Sequence, residues 1–170
     1  LQLHFLATRF ASMRRMRGLG GSWVLDRTWY EDAEIFARGL YEQGLMTPDE
    51  WTLYRRLYSE LLHSPAARPP KLLIYLYGPL DVVAERIATR GRAKEKDAAP
   101  EYWAGLHARY EHWIAQFRQC PVLALDIREY DLVADPDAAE EIACRVRLQL
   151  EGELPQTELF PAASRKRVFA

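Results

Sequence analysis

Several things are scarce in this sequence, and each scarcity excludes something. Only two cysteines occur in 170 residues, Cys120 and Cys144, in no metal-type spacing. That excludes a secreted disulfide framework and leaves them as buried thiols of a reducing, cytoplasmic setting. No run of about 18 apolar residues exists, which excludes a membrane-spanning helix in these residues. Neither sign of charge dominates: 23 Lys and Arg face 24 Asp and Glu, a formal net charge of −1, which argues against a general nucleic-acid binder. Histidine is also sparse. His107 and His112 lie five apart, so they do not share a helix face as a zinc pair four apart would, and the four histidines form no catalytic constellation. No internal repeat is present.

What remains is ordinary globular material, 49% hydrophobic and 28% charged, of one-domain length. The opening "LQLHFLATRFASMRRMR" spaces Leu3, Leu6, Phe10 and Met13 helically with no capping residue ahead of them, so it reads as a chain that starts inside a helix. After the break "GLGG", residues 22–25 read as a buried strand and 26–29 as the loop at its C-terminal end. "YEDAEIFARGLYEQG" reads as a helix stopped by Gly44. "TPDE" starts the next, with Thr47 as cap, Pro48 at the first helical position and Glu50 closing a capping box. A buried strand over 71–79, a helix ended by Gly91, a helix over 100–117 with Tyr102, Leu106, Tyr110, Trp113 and Phe117 as its stripe, a strand "PVLALD" and a last helix over 136–150 follow. The tail 151–170 reads as loose. Short apolar strands between helices predict an α/β fold with a parallel sheet covered by helices on both faces.

In such a fold ligands bind at the C-terminal ends of the strands. Three segments qualify: "DRTWYED", "YGP" and "DIREYD". Asp26 and Arg27 directly follow a strand, an expensive place for charge unless the two pair with each other or bind something. Asp32 could be a helix-start acid favoured by the helix dipole. Arg86, Arg90 and Arg92 gather within seven residues around Gly91. Complementing a helix C-terminus explains one or two such cations; a phosphate chain, which takes bidentate permanently charged donors, explains three. Their place on a connection between helices suits a closing lid.

"DRTWYEDAEIFARGLYEQG", "LIYLYGPLDVVAERIATRGRAKEKD" and "YWAGLHARYEHWI" resemble the deoxynucleoside kinase family, and most of all its bacterial deoxyguanosine/deoxyadenosine kinase branch. Four segments occur in the family's order over residues 1 to about 150, including the lid pattern R-x-x-x-R-G-R-x-x-E from Arg86 to Glu95. The resemblance implies a three-layer fold of P-loop-kinase type. It implies ATP and Mg²⁺ as cofactors, a deoxynucleoside as substrate, a homodimer, and neither nucleic acid nor membrane as partner. By the same resemblance, Gln2 and Arg9 match residues that recognise the base and Asp32 the acid paired with that arginine. Arg27 matches the arginine near the substrate 5′-hydroxyl, and Asp26 the acid associated with magnesium. Arg86, Arg90 and Arg92 match the lid arginines on the ATP phosphates, Glu95 the acid that reads the sugar 3′-hydroxyl, and "DIREYD" the loop over the adenine.

The family's first strand, its glycine-rich phosphate loop, first helix and second strand have no counterpart here, and neither does the glutamate that serves as its general base. Two such strand-and-connection units amount to roughly 50 residues or more. The expectation is therefore a kinase fragment that transfers the γ-phosphoryl group only in a longer chain and is inactive as written. Two alternatives stay open: a thymidylate-kinase-like monophosphate kinase, and a non-catalytic nucleoside- or nucleotide-binding protein.

Overall fold

The computed structural model describes residues 1–96, 98–132 and 135–152. Of the tail expected to be loose, all but Glu151 and Gly152 lies outside the described residues. The chain divides into two compact units, residues 1–69 with 108–113, and residues 70–107 with 114 onward.

The first unit is all helical among its described residues. Helix α1 (Gln2–Leu19) runs into Gly20, whose left-handed φ of 67° ends it. The short α2 (Trp29–Glu31) continues without a break into a π-helical segment, Asp32–Ala37, and then α3 (Arg38–Glu42). Helix α4 (Pro48–His63) begins with the capping box expected from "TPDE": Glu50 accepts from the Thr47 amide at 2.7 Å, and Thr47 Oγ1 accepts from the Glu50 amide at 3.3 Å. Leu6, Trp29, Tyr30, Ile35, Tyr54 and Tyr58 make the core of this unit. Tyr41, Trp51 and Tyr54 stack in sequence, with ring centroids 5.3 and 6.1 Å apart.

The expected strand at 22–25 is not formed, and its residues are exposed, Val24 by 93%. A strand is stable only against a ladder partner. Among the described residues no strand pairs with this one, so its backbone has no ladder to join.

The second unit carries the sheet, two parallel strands with Leu73–Tyr77 (β1) paired to Val122–Asp126 (β2) in register from Leu73↔Val122 to Tyr77↔Asp126. Helices α5 (Leu80–Arg90), α6 (Ala93–Lys96), the flanking parts of α7 (Pro100–Gln116) and α8 (Ala138–Glu151) complete it. β2 is buried throughout and packs Leu123 and Leu125 against Tyr130, Ala138, Ile142 and Val146. β1 corrects the expectation of a fully buried strand. Leu73 is covered, but Ile74 and Leu76 on the alternate face are exposed, Leu76 by 60%. A sheet of two strands has too little width to be enclosed by layers on both faces, so the observed fold is mostly helical α/β with a small parallel sheet. Cys144 is likewise exposed rather than buried, and Cys120 is half-buried.

Candidate functional site

In the first unit the expected residues converge on one guanidinium. Arg9, halfway along α1, donates from Nε to Asp32 Oδ2 at 2.5 Å and from Nη2 to Oδ1 at 3.2 Å. This two-pronged geometry is the strong form of the contact. Asp32 is only 5% exposed, so the pair is what makes its burial tolerable. The remaining nitrogen, Nη1, donates to the carbonyls of Asp26 and Arg27 at 3.3 and 3.2 Å. One side chain therefore fastens the carboxylate at the start of the π-helical segment and the backbone of the "DR" loop.

That loop is conformationally unusual. Arg27 has φ of 67°, the one non-glycine residue with positive φ among those described. For an L-residue this region costs roughly 1–2 kcal/mol and persists where neighbours impose it. The neighbours here are the Arg9 hydrogen bonds and the capping box that follows, in which the Thr28 amide donates to Glu31 Oε2 at 2.8 Å and the Tyr30 amide to Thr28 Oγ1 at 3.1 Å. The Arg27 guanidinium lies over the Phe36 ring, 4.7 Å from its centroid, a cation–π placement. It makes no ion pair with Asp26 among the described residues, so the internal salt bridge that could have explained both charges is not found. Arg9 and Arg27, with Phe5, Thr8, Ser12, Met13, Met16 and Leu25, line a cleft of about 180 Å³. Gln2 stands at the first position of α1, half-buried, seven residues before Arg9.

Tyr110 belongs to the same unit and was read from the sequence only as a stripe residue of α7. Burial pushes its phenol up to about 12; Asp26, Glu31 and Asp32 add to the rise and Arg27 opposes it. Spacing could not separate Tyr110 from its apolar neighbours, because an aromatic at a helical repeat looks the same whichever group its hydroxyl meets.

In the second unit the three lid arginines already have partners. Arg90, the last residue of α5, donates from Nη2 to both oxygens of Glu95 at 2.9 Å. Gly91, in the left-handed conformation that only glycine adopts cheaply, turns the chain to permit this. Arg92 Nη1 is 3.8 Å from Glu95 Oε1. Arg86 is not drawn into that cluster; its Nη2 donates to the carbonyls of Ile127, at 2.5 Å, and Tyr130, at 3.2 Å. After β2, Arg128 pairs with Asp126, Nε lying 3.0 and 3.1 Å from the two oxygens. These hydrogen bonds hold the Asp126 carboxyl below the usual carboxylate range. Neither Arg128 nor Asp126 stood out in "DIREYD" by spacing; a buried strand ending in Asp with Arg two residues on was the available signal.

Asp26 is exposed, and among the described residues no three His, Cys, Asp or Glu side chains cluster to form an all-protein metal cage. A magnesium ion shared with phosphate oxygens and water needs only one or two carboxylates, so a lone exposed Asp26 is compatible with that donor set. No described helix is long and apolar enough to cross a membrane.

Comparison with known proteins gives a consistent picture. Residues 1–150 match the model of the deoxynucleoside kinase family. The chain is 39% identical over 146 residues to the deoxyadenosine/deoxycytidine kinase of Bacillus subtilis, which covers 86% of this chain and 67% of that protein. It is 32% identical to the deoxyadenosine kinase of Dictyostelium discoideum over 95% of this chain and 62% of that protein. The chain therefore spans about two thirds of the length of these relatives or less. In fold it is similar to the deoxyadenosine kinase of M. mycoides solved with bound dCTP, with a TM-score of 0.68 at 24% identity, over 86% of this chain and 71% of that one.

Proposed function

The chain belongs to the deoxynucleoside kinase family, and from that premise we propose that its residues serve transfer of the γ-phosphoryl group of ATP to the 5′-hydroxyl of a deoxynucleoside, with a purine as the preferred base. The observation that carries the reading is the Arg9–Asp32 pair, whose third nitrogen also holds the Asp26–Arg27 backbone. One guanidinium then ties the part of the site that meets a base to the loop that meets the sugar hydroxyl.

Phosphoryl transfer asks a protein for placement and charge neutralisation more than for covalent chemistry. Gln2 and the Arg9–Asp32 pair supply donors and acceptors for a base edge. Arg27, held by its strained backbone and by Phe36, would serve the acceptor hydroxyl. Arg90 and Arg92 supply permanent positive charge for the phosphates, and Glu95, once free of them, accepts from the sugar 3′-hydroxyl. Asp26 would hold Mg²⁺, which when bound screens the charge of the transferring phosphates. The 170 residues contain no glycine-rich phosphate cradle ending in GK[ST]. On their own they are therefore expected to bind without turnover, and turnover is expected of a chain that includes such a cradle. A homodimer is part of the same reading.

Calorimetric titration of the chain with deoxyadenosine, deoxyguanosine, deoxycytidine and dTMP tests the acceptor class. Deoxynucleoside binding that is lost in Arg9→Met supports the reading. Preference for dTMP, or binding indifferent to Arg9→Met, overturns it in favour of a monophosphate kinase or an unrelated binding role.

A further inference from the structure

The first arginine of the lid motif does not behave like the other two. Arg90 and Arg92 face a carboxylate, whereas Arg86 donates from one nitrogen to two backbone carbonyls, those of Ile127 and Tyr130. These carbonyls stand at the two ends of the turn that follows β2. Several other contacts hold that turn. The Ile127 amide donates to the Tyr77 carbonyl at 2.8 Å and so extends the strand ladder. The Ile127 side chain covers Gly78, where an added Cβ would lie 2.6 Å from Ile127 Cγ1. The Glu129 amide closes the turn on the Asp126 carbonyl at 3.1 Å, and the Arg128 amide donates to Asp126 Oδ1 at 2.9 Å. The Tyr130 ring is buried, with its hydroxyl donating to Glu141 at 3.1 Å. Arg86 meets the turn on its carbonyl side.

We propose that Arg86 is a positioning residue, a strut from α5 that holds the 127–130 turn, so that the lid helix and this turn move as one body and Arg86 orders the base side of the nucleotide site rather than gripping phosphate. Two facts favour a strut. Both contacts to the turn come from Nη2 of Arg86, so only its Nε and Nη1 hydrogens are left to offer an anion. Moreover, α5 begins just beyond the C-terminal end of β1 and the turn just beyond that of β2, the end of a parallel sheet at which ligands bind. The role of the turn in holding a nucleotide rests on the kinase reading above; the contact does not.

Hydrogen exchange on the ligand-free chain separates the two. Arg86→Met is expected to speed exchange of the Arg128 and Glu129 amides about three- to tenfold, the equivalent of about one net hydrogen bond. Arg86→Lys, whose ammonium can reach carbonyls with three donors, is expected to restore part of the protection, and Arg90→Met to leave it unchanged. Turn amides that exchange at the wild-type rate in Arg86→Met would overturn the strut. Titration with ATP and with inorganic tripolyphosphate gives the second arm. A strut predicts that Arg86→Met weakens ATP and spares tripolyphosphate, whereas equal weakening of both would make Arg86 a phosphate ligand and refute the proposal. If neither ligand binds wild type while the amides respond, the strut stands and the ATP reading of this chain fails.

Discussion

Arg90 and Glu95 hold each other across Gly91, with one guanidinium nitrogen 2.9 Å from both carboxylate oxygens, and Arg92 leans on the same carboxylate. The lid thus carries its own anion, and the residue implied to read the sugar also neutralises the residues implied to read phosphate. The pair is partly exposed and of the kind worth about 0.2–1 kcal/mol, so a polyphosphate can displace it. Glu95→Gln should therefore raise tripolyphosphate affinity about two- to fivefold at low salt. Glu101→Gln, an equal charge change on exposed α7 surface, should not, and titration calorimetry of both variants checks this. Equal affinities in the two would show that the pair does not compete with phosphate.

The Arg9–Asp32 contact is a stability element as well as a site element. Removing one partner of a buried pair leaves the other uncompensated, and Arg9 keeps some access to water. Arg9→Met or Asp32→Asn alone should therefore cost about 1–3 kcal/mol, below the range for fully buried pairs. The double variant should cost clearly less than the sum of the two, as read from urea midpoints in a double-mutant cycle. Additive losses would mean that the two side chains do not act together.

Asp126 titrates below the usual carboxylate range because Arg128 hydrogen-bonds to it. For a carboxylate depressed in the folded state, the added stability is complete above its unfolded pKa and disappears as pH falls through the folded one. The difference in thermal midpoint between wild type and Arg128→Met should accordingly be constant from neutral pH down to about 5 and shrink below about 4. A difference that persists unchanged into strong acid would point to packing of the arginine stem instead.

The two thiols should react at very different rates. Burial pushes the Cys120 thiol up to about 11, so almost no thiolate is present near neutrality, whereas Cys144 is exposed on α8. A disulfide reagent at about pH 8 should titrate one thiol quickly and the second only after denaturant is added. Loss of the fast phase in Cys144→Ser would assign it.

Local chemistry was readable in the sequence wherever neighbours along the chain decide the outcome. The Thr47–Glu50 box and the Gly91 stop of α5 are both in place. Where the outcome depends on a distant partner, the sequence was silent or misleading. Residues 22–25 have strand composition but no adjacent strand, and β1 presents Leu76 to solvent although its apolar run suggested burial. Among the site residues, the resemblance named Arg9, Asp32 and the lid arginines. Nothing in residue spacing indicated that Arg86 would reach across to the carbonyls of Ile127 and Tyr130, because a backbone carbonyl carries no sequence signature.

The π-helical segment Asp32–Ala37 holds one residue more than an ordinary helical turn needs. Deleting one residue there would let the helix close into a regular spiral with little rotation of its flanks, because the wider turn already absorbs the extra residue. What such a deletion would remove is the widened turn itself, which carries Asp32 against Arg9 and holds Ile35 and Ala37, both fully buried.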